Sequence, residues 1–198
     1  MPRIPASERR VALVQAAVRV IARGGVSAAT TRAIVAEAGM SLASFHYAFT
    51  SHDELMAEVV TWVIAEEQVA ILPDDIEVGS IRDVARAGLQ RYFDLLRANP
   101  NQEQAVNELA LHALRTPGME HLARVQYAGY HELAAAALAF AAEHTGCEWD
   151  RPVEEIARVL VAITDGLTLA WLVDRDDAAA ELLIDNAATM LAGMATTR

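Results

Sequence analysis

The sequence contains no lysine, a single cysteine and few residues that interrupt helices. All 16 of its basic residues are arginine, and its one thiol is Cys147. One cysteine excludes an intramolecular disulfide, and no Cys/His spacing of a zinc site occurs, so we expect a cytoplasmic protein without a bound metal. The N-terminus leads into charged residues, which predicts no signal peptide. The apolar runs 133–142 and 159–173 are too short or too interrupted to span a bilayer, so we expect no membrane partner.

Motifs of the common enzyme classes are also missing. The sequence has no phosphate-binding glycine loop, no His-Glu-x-x-His and no Glu-x-x-His, which are the spacings of zinc proteases and helical di-iron sites. Cys147 is expected in a loop beside Glu148, and an acidic neighbour does not activate a thiol. We therefore expect no catalytic residue and no cofactor. If the protein were an enzyme acting on a small molecule, its turnover should disappear when His112 or His131 is substituted.

Charge is distributed unevenly along the 198 residues. The net charge of −11 argues against a chain covered by nucleic acid or lipid phosphate. Residues 1–52, however, hold six arginines against Glu8 and Glu37, a net charge of +4, which leaves −15 on residues 53–198. A small basic segment joined to a large acidic one is typical of a chain with a nucleic-acid-binding module.

Six prolines and ten glycines separate apolar stretches with a period near 3.6, which predicts an all-α fold of about nine helices and no strand. Thr30 and Ser41 are expected to cap the second and third helices, and Asp176 the last. Ser51 and Glu54 have the spacing of a capping box for the fourth helix. The expected helices cover 7–23, 31–38, 42–48, 51–72, 80–98, 100–115, 117–144, 153–173 and 177–193.

The second and third helices are joined by Gly39-Met40-Ser41, a turn short enough to cross them sharply, as in a helix-turn-helix. Ile34 and Phe45 have the spacing that packs the two helices together. The residues that face outward on the third helix would enter the major groove, and the start of the second helix would hold phosphates. The predicted DNA-binding residues are Thr30, Thr31, Arg32, Ser41, Leu42, Ala43, Ser44, His46 and Tyr47.

These residues resemble the N-terminal domain of the TetR family of bacterial transcriptional repressors, and the nine-helix layout is similar over the rest of the chain. The chain departs from the family pattern at Leu42, which is usually basic, at Ala48, and at His52, which is usually lysine. The resemblance adds His52 to the predicted DNA contacts. The match includes Thr30-Thr31-Arg32, Ile34, Ala38-Gly39-Met40-Ser41, Phe45, Phe49, Ser51 and Asp53-Glu54-Leu55.

Two simpler interpretations of the basic segment stay open. Residues 1–52 would form a plain helical subdomain if its arginines only lined a solvated face. Leu42 and Tyr47 would each be packing residues if they faced the core of that subdomain rather than the bases of DNA.

The eighth expected helix is apolar almost all round, and a helix of this kind is buried on two sides. The TetR resemblance implies that the last two helices pair with their copies as a four-helix bundle in a homodimer, which spaces two recognition helices for a palindromic operator. Burial of both helices within a monomer is the alternative. The expected interface residues are Leu160, Ile163, Leu167, Leu183, Ala187, Met190 and Leu191.

Aromatic and polar side chains are spread over the fourth to eighth helices, as in a mostly apolar small-molecule site. Asp165 needs a partner in so apolar a helix, and it is either an anchor for a cationic ligand or a helix-contact residue. The segment from Asp165 to Leu172 is similar to the BetI-type branch of the family. The predicted effector-binding residues are Trp62, Tyr92, Phe93, Asn107, His112, Tyr127, His131, Asp165 and Trp171.

The sequence thus predicts a helix-turn-helix DNA-binding domain over 1–52 and a helical ligand-binding and dimerisation domain over 53–198. Its expected partners are a double-stranded DNA operator, a largely apolar or aromatic effector and a second copy of the chain. The resemblance implies that the effector shifts the fourth helix and releases DNA, and we expect the effector site to meet that helix at Trp62. The alternative, motivated by Leu42 and His52, is an all-helical interaction or sensor dimer with weak or no DNA binding.

Overall fold

A computed structural model describes residues 5–71 and 79–197, and α-helices form nearly all of this part of the chain. The all-α prediction is confirmed, with nine α-helices and one short 3-10 helix at Val26–Ala28 in the described residues. The expected end of the fourth helix at residue 72 lies outside them. The helices are α1 (Ala6–Gly24), α2 (Thr31–Glu37), α3 (Leu42–Ala48), α4 (His52–Ile71), α5 (Ile81–Ala98), α6 (Pro100–Arg115), α7 (Glu120–Thr145), α8 (Val153–Asp174) and α9 (Asp177–Ala192).

The expected N-terminal caps form hydrogen bonds in the structure. The side chains of Thr30 and Ser41 accept from the backbone N–H of Ala33 and Ser44, each over 3.2 Å. Asp176 accepts from Ala179 N–H at the start of α9 over 3.0 Å. A side-chain acceptor here satisfies one of the amide groups that have no partner in the first turn of a helix. The predicted starts of α2, α3 and α9 are therefore confirmed.

The capping box predicted at the start of α4 is only half right. Ser51 Oγ accepts from Glu54 N–H over 3.1 Å, as expected. The Glu54 carboxylate, however, accepts from the backbone N–H and the hydroxyl of Thr50, both over 2.7 Å. Its other oxygen is 2.9 Å from the guanidinium of Arg10. Because a distant arginine and Thr50 both bind this carboxylate, Glu54 bonds one residue earlier than the local motif predicts.

The expected start of the seventh helix at Thr116-Pro117 is wrong, because α7 begins at Glu120. The Thr116 hydroxyl bonds back to the carbonyl of His112 over 2.8 Å and does not cap the following helix. Met119 N–H then bonds to the Thr116 carbonyl, which closes a turn between α6 and α7.

The expectation of no strand is also wrong. Cys147–Trp149 (β1) and Ala195–Thr197 (β2) pair as an antiparallel ribbon, so Cys147 lies buried in a strand and not in a loop. Strands of three residues are too short for an alternating pattern to appear in the sequence, and the partner strand is distant along the chain. The ribbon attaches the segment after α9 to the segment before α8.

The chain folds into two compact units. The first comprises Met1–Ala65 with Asn101–Tyr127, and the second comprises Glu66–Pro100 with Ala128–Arg198. In the first, α1 packs on α2 and α3; in the second, α5 packs on α9 and α8. The predicted domain boundary after residue 52 stays a prediction. The buried face of α1 carries Leu13, Val14, Ala17, Val20 and Ile21.

Candidate nucleic-acid interface and effector site

The first unit contains a helix-turn-helix formed by α2 and α3. Gly39 adopts a φ of +64°, a left-handed conformation that L-residues with a Cβ rarely adopt, and Met40 N–H bonds to the carbonyl of Val35 over 2.8 Å. Ile34 and Phe45 are fully buried, as their spacing predicts. The turn and the apolar pair therefore fix the crossing of the two helices.

The outward face of α3 is open to solvent. Tyr47 is 80% exposed and Leu42 is 44% exposed, so neither side chain is packed in the core. Ser41 and Ser44 hydroxyls lie 3.0 Å apart at the start of the helix. An exposed helix face with small and hydroxyl side chains suits close approach to base edges. Of the predicted DNA contacts, Thr30, Arg32, Ser41, Leu42, Ala43, His46 and Tyr47 are exposed, while Thr31, Ser44 and His52 are half-buried.

His52 connects the start of α4 to the helix-turn-helix. Its Nε2 lies 2.6 Å from the carbonyl oxygen of Ala29, in the turn before α2. One ring nitrogen is thus engaged within the protein, and α4 is joined to the residue that precedes the Thr30 cap.

Three arginines of residues 1–52, which we call the head, form ion pairs with described carboxylates: Arg10, Arg19 and Arg23. Arg19 and Arg23 both bind Glu37 at the end of α2. Hydrogen bonds from Arg23 and then Arg19 lower the pKa of Glu37 to about 2. Arg32 is exposed and forms no ion pair with a described residue. Glu37 is already included in the +4 of the head, so the two α4 carboxylates that bind Arg10, those of Glu54 and Glu58, offset about half of that net charge.

Arg10 connects α1 to α3 and α4. Its guanidinium donates to the Ala48 carbonyl at the end of α3, to Glu54 over 2.9 Å and to Glu58 over 2.7 Å, and it lies 4.2 Å from the centre of the Phe49 ring. A planar guanidinium can satisfy several acceptors at once, which an ammonium cannot do in a fixed plane. A displacement at the start of α4 would break these bonds or carry the head with it.

A second connection to the head comes from α6. Glu108 Oε1 accepts from Val26 N–H over 2.8 Å, in the turn after α1. Gly25 has a φ of +76°, and a Cβ there would lie 2.7 Å from the same oxygen, so the carboxylate and the glycine are in close contact. The sequence holds no signal for this contact, because no local pattern links residues 82 positions apart.

The predicted effector residues divide between the two units. Trp62, Asn107, His112 and Tyr127 are half-buried in the first unit, where the Asn107 amide donates to the Glu103 carbonyl over 2.9 Å. Tyr92, Phe93, His131, Asp165 and Trp171 belong to the second.

Within the second unit, three of these side chains are engaged in packing. Phe93 and Trp171 meet edge to face with ring centres 5.7 Å apart, and Trp171 Nε1 donates to Asp177 over 2.8 Å. The Tyr92 hydroxyl is hydrogen-bonded to Thr168. These contacts fix α5 against α8 and the start of α9, so the three rings have structural roles whatever else they contact.

His131 and Asp165 are electrostatic neighbours in the second unit. Burial and then Arg158 lower the pKa of His131, while Asp165 acts in the opposite direction. The neutral form of the His131 imidazole is therefore favoured. The half-buried Asp165 has an interaction partner, as expected for a carboxylate in an apolar helix.

Glu103, near the start of α6, was missed by sequence reasoning. It is 2% exposed, and burial raises the pKa of its carboxyl to about 7. Its Oε1 has no hydrogen-bond partner among the described residues. A glutamate in the first turn of a helix is normally interpreted as a solvent-exposed group that favours the helix dipole, so the sequence held no signal for its burial.

The α8 and α9 residues expected at a dimer interface lie in two environments. Leu167, Ala187 and Leu191 are buried within the chain itself, whereas Leu160, Ile163 and Leu183 are half-buried and Met190 is 40% exposed. Exposed apolar residues that were not predicted include Leu169 and Val173. Among the described residues, α8 is the one helix long and apolar enough to cross a membrane by length and composition, a property it shares with helices that pack against protein.

Both the N-terminal and the C-terminal part of the chain match known protein families. Residues 13–59 match the family described as bacterial regulatory proteins, tetR family, and residues 81–196 match the BetI-type transcriptional repressor C-terminal family. The HTH-type nicotine-responsive transcriptional repressor HdnoR of Paenarthrobacter nicotinovorans is 34% identical over 188 residues, which cover 93% of this chain and 94% of that protein.

Two solved structures have the same fold. A TetR transcription regulator from Haloarcula marismortui has a TM-score of 0.74 at 20% identity, covering 96% of this chain and 100% of that one. The multidrug binding protein EbrR in complex with malachite green has a TM-score of 0.64 at 25% identity, covering 93% and 98%. With the helix-turn-helix and the two family matches, these likenesses establish that the chain belongs to the TetR family of transcriptional regulators, with a C-terminal part of the BetI type.

Proposed function

We propose that this regulator is a cytoplasmic homodimeric repressor that binds a palindromic operator through α3 and is released by a small, largely aromatic effector. The observation that carries the proposal is the exposed outer face of α3 in a helix-turn-helix whose inner face is buried. Tyr47 is 80% exposed although Phe45, two residues earlier, is 2% exposed. A large aromatic side chain held in solvent by a rigid helix is suited to a partner surface rather than to the core.

In this proposal, the α3 residues Leu42, Ala43, His46 and Tyr47 read base edges in the major groove. Thr30, Thr31 and Arg32 contact phosphates at the start of α2, where the helix N-terminus favours anions. Two copies must present their α3 helices about 34–36 Å apart to contact successive turns of one operator. Dimerisation is therefore a condition of specific binding.

The face of α8 that we propose for dimerisation carries Val159, Leu169 and Val173, which are 37%, 65% and 78% exposed. Gly166 lies on the same face, and a Cβ added there would meet nothing within 4 Å of the chain, so a partner helix has room for close approach. Leu182 and Met190 on α9 add apolar surface, at 65% and 40% exposure. Exposed apolar side chains at helical spacing fit a second copy of the chain better than water.

Nicotine is the first effector to test, because the nicotine-responsive relative is 34% identical over an alignment that covers 93% of this chain. Release requires the effector to prefer a state that does not bind DNA, with a coupling of about 1–3 kcal/mol in typical cases. Two connections could carry that coupling: Arg10 joins the head to α4, and Glu108 joins it to α6.

The test is selection of an operator from random double-stranded DNA, followed by gel-shift titration with and without nicotine. Ala43→Glu, which places a negative charge on the exposed face of α3, should weaken operator binding at least tenfold. Ala139→Glu adds the same charge at an exposed position of α7 and should bind as the wild type does. Both alanines are exposed, so neither change should disturb folding.

Recovery of no palindromic sequence, or equal binding by the two variants, would refute the α3 assignment and favour the interaction or sensor dimer. Operator binding that nicotine leaves unchanged would refute the effector but not the repressor.

A further inference from the structure

Glu103 differs in burial and in hydrogen bonding from three other glutamates of the first unit. Glu37, Glu54 and Glu108 are each partly exposed, and each accepts hydrogen bonds from an arginine or a backbone amide. Glu103 is only 2% exposed, and its Oε1 has no hydrogen-bond partner in the described parts of the chain. A buried carboxylate oxygen without a partner is costly, because the protein does not replace the hydrogen bonds that water gave it.

The position of Glu103 on α6 explains why it is buried. It shares a helix face with Val106, Asn107 and Ala110, three, four and seven residues further on, and all three are buried or half-buried. Gln126 of α7 donates to the Val106 carbonyl over 3.1 Å, so α7 packs against this face. The face is therefore an interior one that contains a carboxyl group.

A structural role does not account for this carboxyl. It forms no ion pair with a described residue, and burial is the one cause that shifts its pKa upward. An apolar or amide side chain of similar size would fill the same space without the cost of burying an acid. The group is thus suited to a partner that arrives from outside and supplies the missing positive charge and hydrogen-bond donor.

We propose that the Glu103 carboxylate binds the positively charged nitrogen of the effector, which is therefore a small organic cation. This inference rests on the proposed function for the idea of an effector and adds its charge. A protonated amine brings both a donor and a countercharge to Glu103, so the two desolvated ions stabilise each other. A neutral analogue supplies neither, and an anionic one would be repelled.

The experiment measures binding by quenching of tryptophan fluorescence, without DNA, for nicotine and for its neutral lactam analogue cotinine. Nicotine carries a protonated ring nitrogen at neutral pH and cotinine does not. The wild type should bind nicotine at least tenfold more tightly than cotinine. Glu103→Gln should lose about 10- to 100-fold in nicotine affinity, the value of one hydrogen bond between charged groups, and leave cotinine affinity unchanged.

Three variants control this measurement. Glu143→Gln removes the same charge at an exposed position of α7 and should bind nicotine as the wild type does. Glu103→Asp keeps the charge on a shorter side chain and should retain part of the preference for the cation. Asp165→Asn tests the competing carboxylate of α8 and should preserve the preference.

Equal affinities of the wild type and Glu103→Gln for nicotine would overturn the proposal, as would loss of the cation preference in Asp165→Asn alone. If nicotine does not bind, ethidium and malachite green serve as cationic probes, and failure of all three to bind the wild type also overturns it. Operator binding is measured separately. A chain that binds nicotine through Glu103 and never binds DNA would refute the proposed function and support this inference.

Discussion

At the scale of single residues, the first unit uses its charges in two ways. Arg10, Arg19 and Arg23 are matched by carboxylates that lie partly in solvent, which stabilises the head. Glu103 is instead buried and forms no ion pair within residues 5–71 and 79–197. This difference could not be predicted from the sequence, because the charge of a residue can be read from a sequence and its burial cannot.

The buried Glu103 predicts an unusual dependence of stability on pH. The pKa of this carboxyl rises from 4.5 to about 7 on folding, so the folded chain binds more protons than the unfolded chain between these values. Stability should therefore fall as the pH rises from about 5 to 8, by roughly 3 kcal/mol from this group alone. Urea unfolding at fixed protein concentration should show this loss in the wild type and not in Glu103→Gln.

Glu37 and Glu54 act in a lower pH range and with the opposite sign. Their pKa values are lowered to about 2, the first mainly by Arg23 and the second mainly by Thr50, so the stability they contribute is present above pH 4.5 and is lost as the pH falls toward 2. These groups do not mask the Glu103 effect, because they stay ionised from pH 5 to 8. Parallel pH profiles of the wild type and Glu103→Gln would contradict the prediction.

At the scale of helices and turns, local chemistry predicted the elements well. Thr30, Ser41 and Asp176 were identified from sequence because a cap needs only its own side chain and an amide two or three residues away. Glu54 was assigned only the capping-box partner Ser51 and not its bonds to Thr50 and Arg10, and the Arg10 bond spans 44 residues, beyond any local pattern. The β1–β2 ribbon was missed for the same reason, since each strand has three residues and its partner lies elsewhere in the chain.

The contact between Gly25 and Glu108 should couple two substitutions. Gly25→Ala places a Cβ 2.7 Å from Glu108 Oε1 at a positive φ, so we expect a loss of at least 1 kcal/mol in unfolding free energy. Glu108→Ala removes the acceptor of Val26 N–H, which we expect to cost about 1–3 kcal/mol. The double variant should lose less than the sum, because Glu108→Ala also removes the clash.

Urea unfolding of the four chains measures this coupling directly. Gly118→Ala serves as the control, since that glycine also has a positive φ but a Cβ there meets nothing within 4 Å, and its effect should simply add to that of Glu108→Ala. Additive losses for Gly25→Ala and Glu108→Ala would show that α6 and the turn after α1 are not in contact.

At the scale of the whole molecule, the exposed apolar face of α8 should control both assembly and DNA binding. Leu169→Arg places a charge where we propose the partner's helix, so the chain should become monomeric and lose operator binding. Leu111→Arg is the matched control, because Leu111 on α6 is 60% exposed against 65% for Leu169. Sedimentation velocity reports the mass of each variant, and a dimeric Leu169→Arg would exclude this face as the interface.

The number of phosphates that the two heads contact sets how DNA binding should respond to salt. Three of the head's arginines are paired within the protein, and Arg32 is exposed at the start of α2. Salt dependence counts the phosphates that are neutralised, with a slope of about −0.9 per contact in a plot of log affinity against log salt. A dimer that uses few arginines per head should show a slope that is clearly shallower than the roughly −5 to −9 of a repressor with 6–10 phosphate contacts.

Arg32→Ala provides the quantitative test of that count. Each dimer loses two phosphate contacts, so the slope should become shallower by about 2. The loss of affinity should be about the same for every DNA sequence, because phosphate contacts do not depend on sequence. Arg124→Ala removes an exposed arginine from α7 and should leave the slope unchanged. The acidic remainder of the chain, at −15, repels DNA away from the heads, so binding by one head should be weak. An Arg32→Ala slope equal to that of the wild type would mean that other cations hold the phosphates and that the head does not dock through the start of α2.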